Sequence, residues 1–571
     1  MTPVSRRQVL AAGTLGALAV GAGGAVTHLG LLGRVAGAAP RPTPPSPAGP
    51  TPAAGATVAA LPGPLPSGPV PGDPVRRAVY PVALENARVG TPAWDVRGEG
   101  YPAVEGYLST TSAAPGDVVT LHLGRGPSWQ GDGRLTVEWY RLGWYGGAGA
   151  RLVRTDRIDA VADAPTPTPD PATGVIVAGW APALEFSIGS DWTSGMYLGV
   201  LRPGTGNPGY VPLVVRPAAG SADPAPVLFV SAATTWQAYN AWGGKSLYDS
   251  HSAGPVMPWG SHRAAVVSFE RPYRSNQGAG LLFDWELQFV RWQERRLRDV
   301  EYASDVDLQL HPEVLDGRRL ILLVGHHEYW SGPMRAAVET AVAAGTNVAF
   351  LGANDMYWQV RLEPSSSGDP ARRVTCYRLA RFDPVAATTP SLATVHWRDP
   401  LLGRPEAALI GQMYAHIVKR PVDWVVENGS HWIYAGTGLR TGDRLTNLVG
   451  QEYDSVGAGA APANVQLIAR SPVVPNRPGD LPDVHTATVY TAPSGATVLS
   501  AGTFQWSWAL DSFGGRSYLG VRTPTDKRVE IMTANLLTRL GDGPVVGTAP
   551  RPTPGGPSPG PRDPSRRPPF W

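Results

Sequence analysis

The stretch Leu320–Trp358 reads LILLVGHHEYWSGPMRAAVETAVAAGTNVAFLGANDMYW, and its reading decides the fold. Leu320–Val324 is an unbroken aliphatic run, suited to a strand buried on both faces of a parallel sheet. Gly325 ends it. His326, His327 and Glu328 follow at once, which places ionisable side chains at the carboxyl end of a buried strand. A Ser/Gly/Pro start signal then predicts a helix from Pro333 to Ala344. A second buried strand, Val348–Leu351, ends at Gly352 and delivers Asn354 and Asp355. Strand, helix and strand form one βαβ unit whose two strand ends point the same way. In open α/β sheets that edge is where ligands bind, so the polar residues gathered there mark a candidate site. Any one of them alone reads as a loop polar solvating a turn; it is their convergence that favours a site.

Working outward, 571 residues exceed what a single core sustains, so two folded domains with disordered ends are expected. Lys and Arg number 49 against 46 Asp and Glu, a net charge of +3 that gives no ground for a nucleic-acid partner. The 19 tryptophans are more than packing needs, and some are expected to line a cleft. The one cysteine, Cys376, rules out an intrachain disulfide and a cysteine metal cluster. It sits in ARRVTCYRL, away from any strand-end glycine, and reads as a buried, inert thiol.

Residues 1–38 read as a twin-arginine signal peptide. Arg6 and Arg7 precede a charge-free, Gly/Ala-rich run from Val9 to Val26, and Ala36-Gly37-Ala38 offers a small-residue cleavage site. The expected location is extracellular, periplasmic or at the cell envelope. An uncleaved membrane helix fits less well, because Gly and Ala dominate the run. Residues 39–78 form a Pro/Ala-rich linker and residues 546–571 a Pro/Arg-rich tail. Neither holds enough apolar surface to offset the entropy of ordering. Either end could contact the cell envelope; a solvated tail is the other reading.

Residues 79–217 read as a β-sandwich. Val119, Leu121 and Leu123 alternate with Thr120 and His122, and Leu135, Val137 and Trp139 repeat the pattern. The aromatic segment Trp139–Gly147 either packs on the second domain or faces carbohydrate. Residues 224–545 read as an α/β layered domain, Rossmann-like or amidotransferase-like. Val227–Val230 is its first strand, and Leu282, Trp285, Phe289 and Trp292 form one helical stripe. Further strands are expected at Ala407–Ile410, Trp424–Val426 and Thr497–Leu499, with a closing helix over Val529–Leu540.

The chain has no G-x-S-x-G elbow, HExxH, Walker A or strand-following GxGxxG. What remains is oxygen-rich: Tyr239, Tyr248 and Glu328, with Asp249 or Asp355 as further candidates and His251, His326 and His327 nearby. Hard, highly charged cations prefer anionic oxygen, whereas zinc and copper prefer nitrogen or sulfur. A phenol has a pKa of about 10, so only a strong Lewis acid holds two of them ionised at neutral pH. Ferric iron meets that demand. Spacing does not separate these tyrosines from ordinary packing residues.

Several motifs carry a family resemblance. WQAYN (Trp236–Asn240), SLYDSH (Ser246–His251), GHHEYWS (Gly325–Ser331), GANDMYW (Gly352–Trp358) and GQEYD (Gly450–Asp454) resemble the C-terminal domain of the N,N-dimethylformamidase large (beta) subunit family. The resemblance implies a mononuclear ferric centre that hydrolyses a small amide, held by two tyrosinates and a glutamate. Carried over residue by residue, Tyr239, Tyr248 and Glu328 become the metal ligands. His326, Asn354 and Glu452 become the catalytic residues: His326 or Glu452 moves the proton, and Asn354 orients the substrate or the developing oxyanion. Trp236, Trp242, Trp330 and Trp358 would wall a small apolar pocket. The loop between the two tyrosines is shorter than in the amidase, and the chain is shorter on its N-terminal side. A small partner subunit or a homo-oligomer is compatible with the resemblance. Two other readings stay open at this point. One is a non-catalytic, glycan-binding cell-surface protein; the other is a zinc hydrolase using His251, His326 and Glu328.

Overall fold

Leu320–Gly325 is a strand with every residue buried. It pairs in parallel with Asn347–Gly352, from Leu320 opposite Asn347 to Gly325 opposite Gly352. Between them runs the helix Gly332–Ala343, begun by Ser331, whose Oγ accepts from the Met334 amide at 3.3 Å. The βαβ unit expected from the sequence is therefore present. Glycine is required at both strand ends. Gly325 has φ +89°, and a Cβ there would lie 2.6 Å from the Trp285 Cβ. A Cβ at Gly352 would lie 2.4 Å from the Gly325 carbonyl oxygen. Gly352 lets the two strand ends approach closely, and Gly325 makes room for Trp285.

In this computed structural model the described residues are 81–542, except 99, 131–132, 166, 222, 297, 458–459, 478 and 480. The expected twin-arginine segment, the Pro/Ala-rich linker and the Pro/Arg-rich tail lie outside them. Among the described residues no helix is long and apolar enough to cross a membrane.

The βαβ unit sits in a seven-stranded sheet, in the order Val300–Ser304, Val227–Ser231, Leu320–Gly325, Asn347–Gly352, Thr497–Ser500, Asp483–Thr491 and Gln466–Val473. The first five strands are parallel and the last two antiparallel. The α/β layered, Rossmann-like or amidotransferase-like class expected for residues 224–545 is nevertheless not what the chain adopts. Strand outweighs helix, 31% against 22%, and the strands divide among several sheets without Rossmann-like layering. Between Gly352 and Thr497 the chain lays down strands of three other sheets instead of a crossover helix.

The physical reason is that short apolar runs do not specify their own layer. Ala407–Ile410, expected as a strand, is a single helical turn closed by Gly411 at φ +87°. Four apolar residues, three of them buried, satisfy either structure. Longer patterns are more faithful. Leu282, Trp285, Phe289 and Trp292 all enter one core across a π-turn (Leu282–Glu286) and the helix Leu287–Arg295. The closing helix is Lys527–Leu536.

The N-terminal strands form two sheets. One joins Val104–Leu108, Val118–Arg125 and Pro182–Ser187; the other runs Ser112–Ala113, Gly209–Val215, Gly195–Pro203, Leu135–Leu142 and Ala150–Ile158. Val119, Leu121, Leu123, Leu135, Val137 and Trp139, the alternating apolar set, meet in one core drawn from both sheets. The aromatic segment packs toward the second half of the chain. The guanidiniums of Arg291 and Arg295 lie 5.5 and 5.3 Å from the Trp144 ring, and the fully buried Arg141 pairs with Glu294.

Candidate metal centre

Two elements carry the tyrosines. The helix Ala233–Tyr239 ends on Tyr239, and the chain turns through Gly243 and Gly244, both at positive φ, before reaching Tyr248. Arg271, buried beneath this loop, donates to the carbonyls of Asn240 at 2.9 Å, Trp242 at 2.9 Å and Lys245 at 2.8 Å. Three carbonyls clamped by one guanidinium hold the loop in a single shape, so the Tyr239 and Tyr248 rings stack with centroids 4.3 Å apart. Glu328 arrives from the other side, off the end of the Leu320–Gly325 strand. Its amide donates to Thr235 Oγ1 at 3.0 Å, which ties the acid's loop to the tyrosine helix.

The three oxygens converge. Tyr239 Oη is 2.8 Å and Tyr248 Oη 2.7 Å from Glu328 Oε2, and the two phenol oxygens are 2.7 Å apart. Tyr329 Oη donates to Tyr248 Oη at 2.7 Å, and Trp358 Nε1 donates to Glu328 Oε1 at 3.1 Å. Burial, reinforced by the Glu328 charge, pushes both phenols well above their ordinary range. Burial works against ionising Glu328 as well. His326 beside it, the Tyr248 hydrogen bond and Arg378 outweigh burial and leave the carboxyl below its usual value.

Beyond this triangle lies a second group. His326 Nε2 is 3.2 Å from Glu328 Oε2 and 3.8 Å from Glu452 Oε2, without the alignment of a hydrogen bond to either. Its ring packs on Phe504, centroids 4.2 Å apart, and edge-on to Trp285 at 5.9 Å. Asn354 Nδ2 donates to Glu452 Oε2 at 2.8 Å, and the Asn354 amide donates to Asp454 Oδ1 at 2.8 Å. Burial first, then the Glu328 charge, pushes Glu452 well above the carboxylate range. Of this acid pair, Glu328 is the more easily ionised and Glu452 the more easily protonated. Burial, then His326, pushes His327 down to about 3, so it is neutral at pH 7. Asn354 and Gln451 hold φ of +52° and +61°, left-handed backbone uncommon outside glycine and often found at functional sites.

The six residues expected from the sequence are thus brought together as two contacting groups: Tyr239, Tyr248 and Glu328 in one, His326, Asn354 and Glu452 in the other. The remaining candidates stand beside or outside these two groups. Asp249 is exposed and accepts from the His262 amide, and Asp355 Oδ1 accepts from the His327 amide at 3.1 Å. His251 faces the tyrosine rings at centroid distances of 6.2 and 5.9 Å. Among the described residues no three His, Cys, Asp or Glu side chains form a group that could hold a metal, so His251, His326 and Glu328 do not make such a set. Of the four tryptophans expected to wall the pocket, Trp358 touches Glu328. Trp236 instead donates to Glu286, Trp242 donates to Glu105, and Trp330 is buried in a separate core. Sequence reasoning missed Tyr329, Arg378 and Phe504. Tyr329 had a signal, its place directly after Glu328, and Phe504 had one, its place in the aromatic-rich stretch GTFQWSW (Gly502–Trp508); Arg378 had none.

The donor set fits a hard cation. Ligands about 2 Å from one small ion stand about 3 Å from each other, the spacing these oxygens already have. In the neighbouring group, His326 Nδ1, His326 Nε2 and Asn354 Oδ1 are buried polar atoms left without partners.

Comparison with known proteins finds relatives of one kind. An N,N-dimethylformamidase beta subunit from Alcaligenes sp is 23% identical over 218 residues, 32% of this chain. One from Paracoccus aminophilus is 29% identical over 122 residues, 21% of this chain. The matched stretches span only 28% and 16% of those relatives' own lengths. A solved superoxide reductase (neelaredoxin) from Ignicoccus hospitalis, 9% identical, covers 23% of this chain and 94% of its own at a TM-score of 0.14. So slight a likeness carries no argument about the fold. The family model described as N,N-dimethylformamidase beta subunit-like, C-terminal, matches residues 136–520, more than half of the chain, and the chain belongs to that family.

Proposed function

We propose that the protein is an amidohydrolase of the dimethylformamidase type, acting on a small amide at a mononuclear ferric site. One observation carries the reading: two phenol oxygens and a carboxylate oxygen, from a helix end, the loop that follows it and a strand end far along the chain, meet within 2.7–2.8 Å of one another. Tyr239, Tyr248 and Glu328 would hold the ion. Once bound, it supplies the Lewis acidity that polarises an amide carbonyl.

The chain's own groups divide the proton work. His326 has no hydrogen bond at either ring nitrogen, so one nitrogen is free to take the proton from an attacking water. Glu452, its protonated form favoured by burial and by the Glu328 charge, is the group to deliver a proton to the departing nitrogen. The amide C–N bond breaks, the water oxygen ends on the carbonyl carbon, and the products are a carboxylic acid and an amine. Asn354 holds Glu452 through its Nδ2 and keeps Oδ1 unpartnered, an acceptor for an N–H of the substrate or of a reacting water. Phe504 and Trp285 against His326 exclude bulk water.

The test is elemental analysis with a visible spectrum of the full chain loaded with ferric iron. The reading expects about one iron per chain and a tyrosinate charge-transfer band, both lost or strongly reduced in Tyr239→Phe. It also expects amine release from N,N-dimethylformamide or another small amide. A colourless wild-type protein that binds no iron would falsify it. Export through the twin-arginine pathway, and assembly with further copies or a small subunit, belong to the same proposal. The second is supported by the relatives' description as beta subunits.

A further inference from the structure

The residue that touches the supports of two of the three oxygens is not itself one of the ligands. Arg378 Nη2 donates to Tyr329 Oη at 2.9 Å, and Tyr329 Oη donates onward to Tyr248 Oη at 2.7 Å. The same guanidinium lies 4.4 Å from the centroid of the Tyr248 ring and 4.8 Å from that of Trp358, whose Nε1 donates to Glu328 Oε1. One side chain thus reaches Tyr248 by a hydrogen-bond relay and by its ring face, and reaches Glu328 through Trp358. Stacked between two aromatic faces, a guanidinium cannot move without moving both.

The backbone that presents Arg378 is held for the purpose. Arg378 has φ +66°, a conformation a long side chain adopts only when its surroundings impose it. Arg263 donates to the carbonyl of Tyr377 at 2.7 Å, and the Tyr377 amide donates to Thr394 Oγ1 at 2.9 Å. These contacts pin the residue just before it. Arg378 Nε is buried and makes no hydrogen bond, so the side chain is placed by its stack and by Tyr329.

We propose that Arg378, acting through Tyr329 and Trp358, is a positioning residue for the tyrosine–glutamate centre. It fixes where Tyr248 and Glu328 present their oxygens and places one positive charge beside an otherwise anionic donor set. The inference rests on the ferric reading above. Groups behind the first ligands orient them and tune the ion, and their loss commonly weakens metal binding about 10–100-fold. A hydrogen bond and a positive charge next to a phenolate also lower its donor level, which widens the gap to the metal acceptor orbital.

The test uses the full chain loaded with ferric iron, comparing wild type, Arg378→Met and Tyr329→Phe by visible spectrum and by iron affinity. Arg378→Met keeps length and apolar contact, so a mere packing role predicts an unchanged band and unchanged affinity. Positioning predicts a tyrosinate band moved to longer wavelength and iron held about 10–100-fold more weakly. Tyr329→Phe removes one hydroxyl and should shift the band in the same direction by less. It decides the matter if Arg378→Met fails to fold. A wild-type band with both variants unshifted and within about twofold in affinity overturns the inference and leaves the proposed function standing. A wild type that takes up no iron overturns both.

Discussion

Two buried clusters in this molecule are built from the same residue types and end in opposite states. Where the N-terminal strands meet the helix Leu287–Arg295, Glu294 takes both Arg141 amino groups at 2.8 Å, Tyr302 Oη at 2.8 Å and Asn86 Nδ2 at 2.9 Å. Glu85 likewise takes Tyr145 Oη at 2.8 Å and Arg151 Nε at 2.5 Å. No side-chain oxygen or nitrogen of Glu85, Arg141, Tyr145, Arg151, Glu294 or Tyr302 is buried without a partner. At the candidate metal centre the buried acids Glu328, Glu452, Asp355 and Asp454 stand near one another with Arg378 at the tyrosine end, and Asp355 Oδ2 and Asp454 Oδ2 lack partners. A structural network is satisfied by its own members. A site that receives something else is left incomplete.

That contrast can be broken by substitution. The largest effect is expected at the satisfied cluster: Arg141→Met strands the Glu294 charge and should cost about 3–5 kcal/mol, read by denaturant unfolding. A loss below about 1 kcal/mol would mean the cluster is not the structural unit its geometry suggests.

A pH effect is expected at the incomplete cluster. Burial pushes Asp454 up to about 7, against an ordinary Asp value of about 4. In this pH window the folded state binds more protons than the unfolded state. The metal-free protein should therefore be most stable below about pH 4 with respect to this group. It should lose up to about 1.4 kcal/mol per pH unit as pH rises toward about 7. Asp454→Asn should flatten the slope, and a wild-type slope of zero or opposite sign would contradict the reading.

The smallest effect sharpens the same point. Burial, then the Asp454 charge, pushes Asp355 well above the carboxylate range, which favours its neutral form. Asp355→Asn should change metal-free stability by no more than about 1 kcal/mol. An acid–amide swap at Glu294, by contrast, should be costly.

Much of the site was legible because its residues end regular elements. A strand end punctuated by Gly325 projects Glu328 and His326, and a parallel neighbour ending at Gly352 projects Asn354, so period and punctuation alone place these side chains on one edge. Tyr239 and Tyr248 needed the family resemblance, since a tyrosine in an aromatic-rich loop carries no mark distinguishing ligand from packing. Arg378 was not legible at all. Its role depends on a left-handed backbone and on two rings that reach it from distant parts of the chain. The fold class failed for a related reason. Local pattern identified the βαβ unit, but the long interval between Gly352 and Thr497 could be a layer of helices or, as here, strands of other sheets.

The sequence by itself determined which segments must be buried, where the central strands stop and which ionisable groups stand at their ends, because those follow from side-chain polarity and glycine over a few residues. Only the tertiary structure decided that Tyr239, Tyr248 and Glu328 share one point, that burial beside them favours the protonated form of Glu452, and that Arg378 contacts the supports of two of the three. Distance and burial set those outcomes, and both are properties of the packed chain, created when loops far apart in sequence close on one another.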